Sequence, residues 1–271
     1  MNVLNTKFAT EMVGTIANMY RLGWNERNGG NLTTLLTPSE VEEVLSPKQV
    51  LREIPLNFDA KPLAQKFFMV TGSGKYFKNV ENAPTEVLGV VQVSECGKKL
   101  NLLWGLENGA VPTSELPSHF MSHIVRLQQD ENHRIIMHCH PTNLIAMTFS
   151  HSLQEEEITK TLWEMSTECL VVFPEGVSVV PWIVPGTNEI GKATSAKMAA
   201  ARLVIWPHHG IYAAGCSLDE AFGLIETAEK AATIYTAVCA QGGKKQTITD
   251  SELNDLGKAF GVVPRKGILK I

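Results

Sequence analysis

The sequence predicts one α/β domain, and three observations carry that expectation. Short apolar runs fit for buried strands, such as Phe67-Phe68-Met69-Val70, Cys169-Leu170-Val171-Val172-Phe173 and Leu203-Val204-Ile205-Trp206, alternate with segments whose apolar residues recur at helical spacing. No internal repeat and no Gly/Ser-rich linker divides the chain, so residues 1–271 are expected as a single domain. A composition of 44% hydrophobic and 19% charged residues supports a substantial core in a soluble protein.

Charge and cysteines narrow the function. A formal net charge of -4 argues against a general nucleic-acid binder or a protein drawn to an anionic membrane. Phosphate on a substrate must then be gripped locally. The five cysteines (Cys96, Cys139, Cys169, Cys216, Cys239) are scattered, odd in number and without a C-x-x-C, which suits free thiols in a reducing cytosol. Phe8, Met12, Ile16 and Met19 mark an amphipathic helix rather than a signal peptide, and no apolar run approaches a bilayer span. A cytoplasmic location is expected.

In chain order, the first helix should run from about Thr6 to Leu22 and stop at Gly23. In Asn28-Gly29-Gly30-Asn31 two glycines let the backbone turn its N–H groups toward one point, although a plain hairpin turn is the alternative. Leu36 to Lys66 is polar and broken by prolines, and reads as a peripheral excursion with one short helix. The strand at Phe67 runs into Thr71-Gly72-Ser73-Gly74-Lys75, which is neither a Walker loop nor a dinucleotide fingerprint but could cradle a phosphate. Leu88 to Val93 and Leu100 to Trp104 pair around Cys96-Gly97. Thr113 and Ser114 are natural caps for the next helix, with Glu115 in its first turn. His119 and His123 lie four apart on that helix without a metalloprotease glutamate, and read as surface or supporting residues. Leu153 to Met165 is a helix whose Glu155-Glu156-Glu157 reads as a solvated face. Cys169 to Phe173 and Val177 to Val180 read as strands, helices follow Thr187 and Ser217, and one more helix is expected near Glu252 to Phe260.

The most informative stretch is Met137-His138-Cys139-His140-Pro141. It ends an apolar strand, so His138 and His140 share a face and Cys139 turns away. Asn143 is a candidate cap for the helix that follows. A third strand end carries His208-His209-Gly210. Three histidines with an open fourth position suit catalytic zinc, since structural zinc sites are closed and usually cysteine-rich. One of His208 or His209 completes the set, and Glu115 could fill the fourth position at rest. A divalent ion chelated by a carbonyl and its neighbouring hydroxyl stabilises an enediolate, and a nearby carboxylate can move the α-proton. With two phosphate nests, that combination suggests aldol chemistry on a phosphorylated ketose.

Asn28-Gly29-Gly30-Asn31, Thr71-Gly72-Ser73-Gly74-Lys75, Pro112-Thr113-Ser114-Glu115-Leu116-Pro117, His138-Cys139-His140, Ser166-Thr167-Glu168-Cys169-Leu170 and His209-Gly210 occur in that order. Together they resemble the class II sugar-phosphate aldolases. The resemblance runs over nearly the whole chain, including Pro185-Gly186-Thr187 and Gly223 to Lys230. It implies one zinc per subunit on His138, His140 and His209, the last favoured over His208 by the family's His-Gly. It implies Glu115 as the acid/base residue. Asn28, Gly30, Asn31, Ser73, Gly74, Thr113 and Ser114 would bind the dihydroxyacetone phosphate half. Glu168 would reach a neighbouring subunit's site and assist with the aldehyde half. The implied fold is a three-layer α/β/α domain with a mostly antiparallel central sheet, assembled as a cyclic homotetramer. Shorter members of the superfamily, the fuculose-1-phosphate aldolases and ribulose-5-phosphate 4-epimerases, are the alternative, and the Leu36–Lys66 segment fits a longer member better. A non-catalytic zinc-stabilised module is disfavoured by the lack of cysteine ligands.

Overall fold

Residues 2–271 are described by a computed structural model. In chain order the elements are α1 (Lys7–Arg21), β1 (Asn31–Leu36), α2 (Pro38–Glu42), β2 (Arg52–Pro55), β3 (Phe67–Thr71), α3 (Pro84–Val87), β4 (Leu88–Val93), β5 (Lys99–Gly105) and α4 (Leu116–Gln129). Then come β6 (Ile135–Cys139), α5 (Thr142–Ser150), α6 (Glu155–Met165), α7 (Thr167–Val172), β7 (Val177–Val179), α8 (Asn188–Met198), β8 (Leu203–Trp206), β9 (Gly210–Gly215), α9 (Leu218–Ala240) and α10 (Asp250–Phe260).

Strands β3, β4, β6, β8 and β9 are buried along their whole length, because successive side chains point opposite ways and both faces of the sheet are covered there. Along β3, Phe67 and Met69 enter one core with α1 and α9, whereas Phe68 and Val70 enter another with Phe120 of α4. Along β6, Met137 and Cys139 join the first core while Ile136 packs with Ile190 and Met198 of α8. Helices therefore flank the sheet on both sides, a three-layer α/β/α arrangement. Strand order is β2-β5-β4-β3-β1-β6-β9-β8-β7, with every pairing antiparallel except β7 with β8. The mostly antiparallel central sheet is as expected.

Several local expectations differ from the structure. Cys169 to Val172 is helical: Cys169, Leu170 and Phe173 bury together at steps of one and three, which a helix satisfies and a strand does not. A five-residue apolar run is too short for periodicity to separate the two. The excursion after Leu36 contains its short helix, α2, but also an edge strand, β2, ending at Pro55 and paired to β5. Glu155 is not part of a solvated face. It accepts from Lys197, Arg265 and the Val179 amide, tying α6 to α8 and the C-terminal segment. Glu115 precedes α4 as its N-cap residue rather than sitting in its first turn, and no side chain caps that helix. Asn143 does not cap α5 either; the Glu229 carboxylate of α9 does. Among the described residues, no helix is long and apolar enough to cross a membrane.

Candidate active site

The antiparallel order β3-β1-β6-β9 brings the ends of β3 and β6 beside the starts of β1 and β9. Asn31 pairs with His138, and His138 pairs with Tyr212, so these three positions lie in one row across the sheet. The loops after α1 and β3 and the segment before α4 close over that edge. A cavity of about 180 Å³ results, lined by Asn28, Gly30, Asn31, Ser73, Gly74, Thr113, Ser114, Glu115, His140 and His209. Seven residues expected to bind the phosphorylated half thus share one cavity with the expected base and two of the expected ligands. Gly30 is necessary at its position. Its φ is +74°, and a Cβ there would overlap the Asn25 amide and meet the His138 carbonyl oxygen at 3.0 Å. The Gly72–Ser73 turn is pinned by Ser73 N–H to the Val111 carbonyl at 2.8 Å and by Thr113 N–H to the Thr71 carbonyl at 2.9 Å.

His138, His140 and His209 offer nitrogens that all lie within 4.8 Å of one another. His138 Nδ1–H donates to the Ile211 carbonyl at 2.9 Å, and His140 Nδ1–H donates to the Glu26 carboxylate at 3.0 Å. Each ring is left with an Nε2 lone pair, and those two nitrogens stand 3.3 Å apart. Burial, aided by the two neighbouring imidazoles, holds His138 neutral with a pKa well below the usual value, and burial with His140 lowers His209 to about 4. These converging ring nitrogens form a donor set for a divalent cation, with Nδ1 of His138 and of His140 fixed by a carbonyl and a carboxylate as metal-bound histidines require. The residues fit the metal. His208 is elsewhere: its Nδ1 lies 3.2 Å from Thr148 Oγ1 and its ring meets that of Phe149 at a tilt of 39°.

Glu115 faces this group, with Oε2 3.5 Å from His138 Nε2 and Oε1 3.8 Å from His209 Nε2. Oε2 accepts from Asn31 Nδ2 at 2.9 Å and from the Tyr212 hydroxyl at 2.8 Å. Burial raises the Glu115 pKa, and the two donors and His140 oppose that rise. Tyr212 escaped the sequence reading. The available signal was its place two residues after Gly210, on the face of β9 that the His138 face of β6 must meet. Its ring stacks on His138, centroids 4.3 Å apart. Glu26 was missed as well, although it lies inside the Asn-Gly-Gly-Asn approach.

His119 and His123 are not at the surface. Both are fully buried between α4 and the sheet, where they bond Thr33 and, for His119, Asn31. Glu168 lies outside its own chain's cavity. It is exposed at the start of α7, where it accepts from Ser166 Oγ at 2.8 Å. A second group, Asp130, His133 and Cys216, has metal-like spacing but the wrong protons. His133 Nδ1 accepts from the Arg126 guanidinium, so its other nitrogen carries the hydrogen and offers no lone pair.

Comparison with known proteins agrees with the geometry. The family model "Class II Aldolase and Adducin N-terminal domain" matches residues 10–236. The chain belongs to the class II aldolase family. Among the similar members of this family is the rhamnulose-1-phosphate aldolase of Listeria monocytogenes serotype 4b (strain CLIP80459), 63% identical over 99% of this chain and 98% of that protein. The protein of the same name from Enterococcus faecalis (strain ATCC 700802 / V583) is 62% identical over 100% of this chain and 97% of its own length. Among solved structures, a sugar-phosphate aldolase from Thermotoga maritima aligns at 27% identity with a TM-score of 0.75, covering 86% of this chain and 95% of that one. The class II aldolase fold of this chain is therefore shared in both sequence and three dimensions.

Proposed function

We propose that this class II aldolase reversibly cleaves L-rhamnulose 1-phosphate to dihydroxyacetone phosphate and L-lactaldehyde, as a cytoplasmic step of rhamnose catabolism. The observation that carries the reading is the converging group His138, His140 and His209 facing Glu115 at the mouth of two backbone nests. The substrate assignment is supported by 62–63% identity, over almost the full length, to proteins named for that reaction. Residues 1–271 read as one domain, since all nine strands join one sheet.

His138, His140 and His209 would hold one zinc. When bound, the ion supplies Lewis-acid polarisation of the substrate ketone and its neighbouring hydroxyl. The chain's own residues do the rest. Gly30, Gly74 and neighbouring amides, with the side chains of Asn28, Asn31, Ser73, Thr113 and Ser114, are offered to the phosphate, a grip that net charge cannot supply. Cleavage breaks the bond between C3 and C4; the C4 hydroxyl gives up its proton and C3 gains one. Glu115 delivers the proton to C3. Because Oε2 already accepts two hydrogen bonds, Oε1 is the oxygen left to carry that proton. Glu168 of the partner subunit, in a homotetramer, would be offered to the aldehyde half, in keeping with its exposure on its own chain.

The test is release of triose phosphate from L-rhamnulose 1-phosphate before chelation, after chelation and after zinc is restored. Zinc-dependent release with helicity retained throughout is expected. Unfolding on chelation would favour a structural zinc module. No release from folded, zinc-loaded protein would overturn the substrate and direct the assay to fuculose 1-phosphate and then to epimerisation.

A further inference from the structure

A one-way chain of hydrogen bonds runs from α4 through β1 to the Glu115 carboxylate. Asn31 Nδ2 donates to Glu115 Oε2 at 2.9 Å. The amide oxygen Oδ1 is then turned to His119 Nε2, so His119 carries its proton on Nε2. Its Nδ1 is a lone pair, and the donor facing it is the Thr33 hydroxyl at 2.9 Å. Having given its single proton, Thr33 Oγ1 accepts from His123 Nε2, also at 2.9 Å. His123 therefore carries its proton on Nε2 too, and its buried Nδ1 ends the chain without a partner. Reversing the Asn31 link alone would set its carbonyl oxygen against a carboxylate. Burial keeps both rings neutral: His119 lies well below its usual range and His123 falls to about 3.

We propose that His119 is a positioning residue for Glu115: its Nε2–H holds the Asn31 amide with the N–H side toward the carboxylate, and Thr33 and His123 lock the His119 tautomer. The inference rests on Glu115 being the acid/base group. Apolar packing does not need these groups. Phe120 of α4 already seats on Phe68 of β3, with ring centroids 4.6 Å apart. A buried polar chain with an orphaned nitrogen is a desolvation cost that packing alone leaves unexplained. Its product is a carboxylate with both donors on Oε2, leaving Oε1 toward the cavity. Without the His119 donor the Asn31 amide is free to rotate, and the proton that Glu115 must deliver moves to the wrong oxygen.

The variants His119→Phe and His119→Gln separate positioning from packing, because glutamine places an amide N–H near the reach of Nε2 and phenylalanine places none. His119→Phe should lower kcat about ten- to a hundredfold, the loss associated with a hydrogen bond that serves a charged group. Because Asn31 also lines the substrate cavity, KM for L-rhamnulose 1-phosphate should rise by less than kcat falls, and the zinc content should stay within about twofold. His119→Gln should recover most of kcat. Unchanged kcat in the phenylalanine variant, equal loss in both variants, or a loss lying wholly in KM would overturn the proposal. Should either variant fail to fold, imidazole 15N spectra of the unmodified protein decide: His119 and His123 must both be neutral Nε2–H tautomers at pH 7, and Nδ1–H at either overturns the chain. The spectra do not depend on turnover. An inactive protein with the expected tautomers would therefore sink the functional reading and leave only the hydrogen-bond chain standing, whereas an active one with the wrong tautomer would sink this inference alone.

Discussion

Glu115 is shaped by neighbours that differ in how visible they are in the sequence. Asn31 sits in an Asn-Gly-Gly-Asn motif and was legible; Tyr212 is one aromatic in an apolar strand and was not. Tyr212→Phe keeps the ring that stacks on His138 and removes one of the two donors on Oε2. A fall in kcat of about tenfold is expected at unchanged fold, since a hydrogen bond to a charged acceptor is lost without a cavity. Steady-state rates at saturating substrate check this, and an unaltered kcat would leave Asn31 as the sole donor that matters. His119 and His123 show the opposite limit. Their spacing of four was visible, but spacing does not report burial: α4 is covered on one side by the sheet and on another by α8, so polar positions that resemble a wet face are inside.

At the scale of elements, what was legible followed where the information sits. Helices whose caps lie beside them in the chain were found, as at Thr6, Thr187 and Ser217. Helix α5 was found, but its cap was not, because it comes from α9. The buried Glu229 carboxylate accepts from Asn143 N–H at 3.0 Å and Leu144 N–H at 2.8 Å, satisfying amides that no local side chain reaches. Helix α5 begins directly after His140-Pro141, so this remote cap also fixes where His140 stands. Glu229→Ala should destabilise the protein by about 1–3 kcal/mol in urea titrations, the cost of unsatisfied buried donors. It should also weaken retention of a metal ion at the three histidines, with Glu229→Gln falling between because one acceptor oxygen remains. Full stability in the alanine variant would mean that water replaces the carboxylate. Strand β2 and helix α7 escaped for a different reason: four- and six-residue segments carry too little periodicity to declare themselves, and their neighbours decide.

The molecule as a whole should be sensitive to acid in a definable window. His119 and His123 are buried neutral, with folded pKa values below the ordinary 6.5. Below that value the unfolded chain binds protons at both positions and the folded chain does not. Their contribution is therefore complete above pH 6.5 and declines as pH falls toward the folded values, near 3 for His123. The slope approaches about 1.4 kcal/mol per pH unit for each such histidine. Unfolding free energies measured between pH 7.5 and 5 should show this decline, and replacing His123 with a non-titrating residue should flatten it by one proton. A flat curve in the parent protein would mean that the rings are protonated or hydrated in the folded state.

The centre of the chemistry is also the part of the chain with the longest reach. Asn31 and Glu115 are 84 residues apart, Asn31's other partner His119 is 88 away, and Glu115 meets Tyr212 across 97. Closing such loops costs entropy before any contact repays it, so a site built from them exists only once the native topology is in place. An ion that meets the nascent chain early finds only the local His138-Cys139-His140 chelate. The third histidine arrives when β9 docks against β6 and not before. A metal ion on these three histidines would therefore find its complete donor set only after β9 has paired with β6.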